Sequence, residues 1–324
     1  MNREKFIGCI SMFFGFALAG SSVIAARVVS GSMGTFTITA VSMFFALLVL
    51  VPLSYKNLLR TVRQMKLKDW LQPFLQALIG IFLFRLFLLQ GLLRTSTAEA
   101  GILTGATPAV TAILAWAVLR ERIHKRSWLG IISTVCGVLL LQGVLAAAGS
   151  FSMAHFLGNL LVLGAACSES LFNILSRIHS LRSAGKEQTP LNPTVQTTLV
   201  AGIALLLCLI PALFEQPVKA LSALSVVQWA ALVWYGVGVT ALAFFLWYNG
   251  IKRCSAHTAA AYSGMMPFTS FILSVILLGE RAGWQQWFGG VMIILGIVLI
   301  GTGSAPVSIP KVQKIETIEE QVAE

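Results

Sequence analysis

Residues 91–141 read GLLRTSTAEAGILTGATPAVTAILAWAVLRERIHKRSWLGIISTVCGVLLL, and 159 positions on, residues 250–300 read GIKRCSAHTAAAYSGMMPFTSFILSVILLGERAGWQQWFGGVMIILGIVLI. Gly91, Arg94 and Ser96 fall on Gly250, Arg253 and Ser255. Gly105 and Pro108 fall on Gly264 and Pro267, and Leu119, Glu121 and Arg122 on Leu278, Glu280 and Arg281. Trp128, Gly130 and Gly137 meet Trp287, Gly289 and Gly296. Shared hydrophobicity alone does not repeat Gly, Pro, Trp and charged positions at one offset. The chain is an internal duplication.

Outward from this repeat, the chain is apolar almost throughout. Of its 324 residues 57% are hydrophobic and 11% are charged, against about 25% charged in a soluble domain. Apolar runs of about 20 residues, enough to cross a hydrocarbon core of roughly 30 Å, recur along it. The short alternating segments of an outer-membrane barrel are absent. The expected fold class is an all-α polytopic membrane protein with spans near 6–26, 36–54, 70–92, 97–119, 127–147, 153–175, 194–214, 227–249, 256–278 and 284–303. The first is read as a retained span, because its apolar stretch runs past Ala17-Leu18-Ala19 to Ala26. Cys9, Cys136, Cys167, Cys208 and Cys254 form no CxxC pair and imply neither disulfides nor a metal.

The net charge of +11 resides mainly in loops and is read as an orientation signal, with nucleic acid excluded as a partner. With the amino terminus inside, 18 of the 23 basic residues lie in cytoplasmic segments, four lie opposite and Arg85 lies within a span. Both termini are therefore expected in the cytoplasm, the protein being multi-pass in the cell (inner) membrane. Five spans per half is an odd number, so the two halves should thread the membrane in opposite senses. The expected domains are a first five-helix repeat over 1–148, a second, inverted one over 149–303, and a mobile cytoplasmic tail over 304–324. Opposed repeats suit alternating access, since exchanging their conformations turns an inward-open state into an outward-open one.

Thr107-Pro108 with Leu119-Arg120-Glu121-Arg122, and Met266-Pro267 with Leu278-Gly279-Glu280-Arg281, resemble the EamA type of the drug/metabolite transporter superfamily. Gly20-Ser21-Ser22 resembles that family's opening motif, with Ala19 where an aromatic residue often stands. The resemblance covers about residues 6–303. It implies ten helices around a central cavity, and secondary transport, often export, of small organic solutes.

Within the spans, Pro108 and Pro267 each leave the carbonyl four residues back without its usual donor and should bend their helices. Those carbonyls belong to Thr104 and Ser263. Glu121 and Glu280 stand at helix C-termini, where a carboxylate is unfavourable. They are expected to accept free N–H groups of the next helix or to pair with Arg122 or Arg281, stapling a hairpin. Glu99, near a helix N-terminus, is expected to cap it. Arg85 and Glu169 lie deep in spans, where a charge costs about 2.5–3.5 kcal/mol on insertion scales, so each needs a partner or water. One reading pairs them with each other or with backbone; the other has them line the cavity, Arg85 for an anionic group and Glu169 for a cation or proton. Asn173, Tyr248, Asn249 and Tyr262 are further hydrogen-bonding candidates.

No Walker A loop, HExxH or metal-ligand cluster is present. No cofactor is expected, and no enzymatic activity. The expected partners are a small-molecule solute and the lipid bilayer, with proton coupling open. The leading reading is an exporter of amino acids or related metabolites. Efflux of lipophilic cations, a non-transporting scaffold subunit and an intramembrane enzyme are the alternatives.

Overall fold

The computed structural model describes residues 3–119, 125–141, 153–185, 192–251 and 265–303, and every extended element in them is a helix. Helix α1 (Arg3–Gly20) runs on into α2 (Ser22–Val29), and α3 (Thr35–Gln64) follows. A 3-10 turn (Leu67–Trp70), α4 (Leu71–Ala77), a π-helical stretch (Leu78–Leu83) and α5 (Phe84–Leu92) make up one span. Next come α6 (Thr97–Thr104), α7 (Thr107–Leu119), α8 (Lys125–Leu141), α9 (Met153–Gly185), α10 (Pro193–Leu213) and the short α11 (Pro217–Ser222). Helix α12 (Val226–Val233), a second π stretch (Trp234–Leu242) and α13 (Ala243–Ile251) again form one span, followed by α14 (Met265–Leu278) and α15 (Trp284–Gly303).

Among the described residues, six helical runs are long and apolar enough to cross a membrane: Phe6–Val29, Thr35–Gln64, Leu67–Leu92, His155–Leu175, Thr194–Leu213 and Val226–Trp247. Large apolar side chains such as Leu206, Ile210, Ile276 and Leu277 are exposed, a surface suited to hydrocarbon rather than water. Two helices outrun the spans expected of them. Helix α3 continues past Pro52 to Gln64 and α9 reaches Gly185. Hydropathy marks the thickness of the apolar layer, not the end of a helix, and polar turns propagate where nothing stops them.

The fourth expected span is broken, not bent. Helix α6 ends at Thr104 and α7 starts at Thr107, with Gly105 and Ala106 held by bonds to Ile102 O (2.9 Å) and Leu103 O (3.0 Å). Pro108 has no N–H to offer Thr104 O, and Gly105 is a poor helix former, so the ladder fails at this point. The Thr107 hydroxyl donates instead to Thr104 O at 2.8 Å. Pro267 is the buried third residue of α14; Ser263, the other half of that expectation, lies outside the described residues.

Helix packing pairs like with like. Helix α8 lies on α15 and α3 on α10, the matching helices of the two halves. Contact of α5 with α9 is mirrored by α13 with α1, and α7 with α9 by α14 with α1. A Cβ built on Gly130 would lie 2.6 Å from Gly296 O, and one on Gly137 2.7 Å from Gly289 O. Position 130 meeting 296 while 137 meets 289 makes α8 and α15 antiparallel, at a separation only glycine permits. Between those contacts Ser133 Oγ donates to Met292 O at 2.7 Å, and Met292 is the residue that the 159-residue offset sets opposite Ser133. The main core, with Ile38, Leu88, Leu92, Leu103, Val162, Leu232, Phe271 and Ile293, draws on both halves.

Candidate substrate and coupling site

Arg85 is the second residue of α5, directly after the π stretch Leu78–Leu83, and is 5% exposed. Its Nη1 donates to Ser42 Oγ on α3, and its Nη2 to Thr240 Oγ1 at 3.1 Å on the second π stretch. The guanidinium carbon lies 3.8 Å from the centre of the Tyr235 ring. Both hydroxyls spend their own protons elsewhere, Ser42 on Thr39 O (3.0 Å) and Thr240 on Tyr235 O (3.1 Å), so their lone pairs face the cation. A side chain at Gly236 would run into Ser42 O, so that glycine lets α3 and the π stretch close around Arg85. Desolvating a cation costs several kcal/mol. Bonds to a charged group return about 1.5–3 kcal/mol each and a desolvated cation–π contact about 2. These terms are comparable, yet no carboxylate is bonded to Arg85 among the described residues.

The two π stretches are counterparts. Adding the repeat offset of 159 to Leu78–Leu83 gives 237–242, within Trp234–Leu242. π-Helical turns are rare and concentrate at functional sites. Arg85 itself is not repeated; its counterpart is Phe244.

Glu169, on α9, is partly exposed and accepts a bond from Thr107 Oγ1 at 3.0 Å, at the start of α7 beyond the helix break. The next residue, Ser170, donates to Thr107 O at 3.0 Å. Glu169 therefore does not bond Arg85: the first is anchored on α7, the second on α3 and the π stretch of the other half. Asn173, exposed, lies four residues beyond Glu169 and so on the same face of α9. Asn249 Nδ2 donates to Ser11 Oγ at 3.2 Å, joining α13 to α1. Tyr248 lies on α13. Tyr262, Glu121 and Arg122 lie outside the described residues.

Glu280 accepts from Thr97 N (2.9 Å) and Ala98 N (2.8 Å). Its expected partners were the helix that follows it or Arg281. The free N–H groups it finds belong instead to α6, in the other half, and Arg281 is exposed. Glu99 does not cap its own helix. Ser96 caps α6, and the buried Glu99 carboxylate takes bonds from His155 Nε2 (2.6 Å), Asn159 Nδ2 (2.9 Å) and Gln286 Nε2 (2.9 Å).

Glu215, which the sequence reading passed over, closes α3 in the same way, accepting from Phe36 N (3.2 Å) and Thr37 N (2.7 Å) across the groove left by Gly34. Its signal was available, since Glu215 follows a helix C-terminus, where a carboxylate must look elsewhere for donors.

Membrane-length helices, two like halves packed helix on matching helix, and buried charge between them define a multi-pass membrane protein with a built polar interior. The EamA-like transporter family model matches residues 6–142 and again 156–302, and the chain belongs to that family. It is similar to the uncharacterized transporter YetK of Bacillus subtilis (strain 168), 29% identical over 289 residues, 89% of this chain and 84% of that one. The aromatic amino acid exporter YddG of Ancylobacter novellus is 24% identical over 230 residues, 70% of this chain and 72% of its own. A crystal structure with a TM-score of 0.57 covers 90% of this chain and 95% of its own at 22% identity, a likeness of fold alone.

Proposed function

We propose that this protein is a secondary transporter that exports amino acids or related small metabolites by alternating access. Ten spans form two inverted five-helix repeats, 1–148 and 149–303, with both termini and the 304–324 tail on the cytoplasmic side of the cell membrane. The observation that carries the reading is the antiparallel contact of α8 with α15, in which Ser133 bonds its own counterpart, Met292. Halves related in this way can exchange conformations around a passage between them. The aromatic amino acid exporter among its relatives supports the substrate class.

Glu169 is the coupling candidate. It is a partly exposed carboxylate in a span, bonded to the first residue past the break at Pro108. A proton carried on it across the membrane would draw on the membrane potential, about 2.3 kcal/mol per charge per 100 mV.

The test is purified protein in liposomes, offered labelled amino acids and the lipophilic cation tetraphenylphosphonium, with and without a pH gradient. Gradient-driven accumulation of an amino acid is expected. In Glu169→Gln that accumulation is lost while exchange of amino acid for amino acid continues. Movement of tetraphenylphosphonium alone would overturn the amino acid assignment, and accumulation unchanged in Glu169→Gln would remove Glu169 from coupling.

A further inference from the structure

Two buried polar groups at the π stretches share a deficit. Arg85 engages two of its N–H groups, both on neutral hydroxyls, and no carboxylate meets it among the described residues. Tyr235, whose ring covers the guanidinium, is 1% exposed, and among the described residues its Oη has no hydrogen-bond partner. Buried phenolic hydroxyls ordinarily find a partner. Among the described residues, nothing supplies the anionic acceptor that a buried cation with donors to spare and an orphaned hydroxyl call for. The guanidinium fork matches a carboxylate with two parallel N–H···O bonds, and a phenol adds a third donor.

We infer that Arg85 and Tyr235 form the seat for the carboxylate of the transported solute. Ser42 and Thr240 aim the fork from α3 and the second π stretch, acting as positioning residues. The site is closed over in this conformation, and the π turns on either side are where the backbone yields to admit the solute. This inference rests on the transport reading above. It deepens that reading by requiring an acid function on the substrate.

Liposomes carrying wild type, Arg85→Lys, Arg85→Gln or Tyr235→Phe are offered labelled L-phenylalanine and phenethylamine, which differ in the carboxylate alone, in chloride and in gluconate buffers. Each variant's melting temperature is recorded alongside. Wild type is expected to prefer phenylalanine by about a hundredfold or more, as sites built to bond a polar group do. Arg85→Gln should lose both uptake and preference. Arg85→Lys, with charge but no fork, and Tyr235→Phe should each raise KM for phenylalanine about tenfold with kcat little changed.

An unchanged KM and preference in a folded Arg85→Gln would overturn the seat and leave transport standing. Should Arg85→Gln not fold, unchanged KM in both Arg85→Lys and Tyr235→Phe would overturn it equally. Uptake of both probes alike, requiring chloride, would assign the site to an inorganic anion and likewise end the proposal. Wild type moving neither probe, but moving tetraphenylphosphonium, would instead strike the amino acid reading itself and the seat with it.

Discussion

Thr107 has one hydroxyl proton and two acceptors in reach, Thr104 O at 2.8 Å and a Glu169 carboxylate oxygen at 3.0 Å. One proton does not serve both fully. When Glu169 carries a proton of its own it donates to Thr107 Oγ1, and Thr107 is free to close the gap left by Pro108. Glu169 and the break in the fourth span are thus linked through a single side chain. Thr107→Val removes the donor and leaves Thr104 O unbonded in the core, a loss of about 1–3 kcal/mol. The expected outcome is a lower melting temperature in detergent, with Thr107→Ser restoring it; a Thr107→Val protein that melts like its parent would break the link. The charges and prolines were legible in the sequence, because a charge or a missing N–H in an apolar span stands out by residue type alone. Their partners were not. One of the two readings paired Arg85 with Glu169 because both were unusual, but what each bonds is decided by helices 43 and 155 positions away for Arg85 and 62 for Glu169.

Helices in this molecule depart from regularity where two of them must touch. The duplicated Gly, Pro and Trp positions foretold like halves. They did not foretell that Pro108 would break its span outright or that matching π turns would follow α4 and α12, because π turns have no strong signature in residue type. Glycines on α8 and α15 behave differently: their repetition marked a shared constraint, and the constraint is contact. Gly130→Ala would press a methyl group to within 2.6 Å of Gly296 O, where backbone cannot yield cheaply. Overpacking of this kind costs about 1–3 kcal/mol. Gly202, in α10, has nothing within 4 Å of the place a Cβ would take. Gly202→Ala should gain up to about 1 kcal/mol from helix propensity. Thermal unfolding of the two variants side by side is the measurement, and equal shifts would refute close approach as the reason for the α8–α15 glycines.

At the scale of the whole molecule, three carboxylates cross between the halves at one end of the bundle. Glu215 and Glu280, from the second half, close the N-termini of α3 and α6 in the first. Glu99, from the first, holds His155 and Gln286 in the second. The proposed alternating access requires such ties to break in turn, so on that proposal Glu280→Ala should speed modification of a cysteine placed at Ala98, now 3% exposed. An unchanged rate would show that this end is held shut by other contacts. The orientation proposed for that end rests on charge. The loop around Glu280 carries Arg281 alone, whereas residues 120–126 carry four basic groups, and basic loops stay in the cytoplasm. In a background without native cysteines, Arg281→Cys should react with an impermeant maleimide added outside cells. Lys125→Cys, at the start of α8, should react only once the membrane is opened. The α8–α15 contact and the positive loops make this prediction independently, one from packing and one from electrostatics. Labelling of both positions from one face would contradict the two at once, because no arrangement of antiparallel counterpart helices leaves their N-terminal ends on the same side.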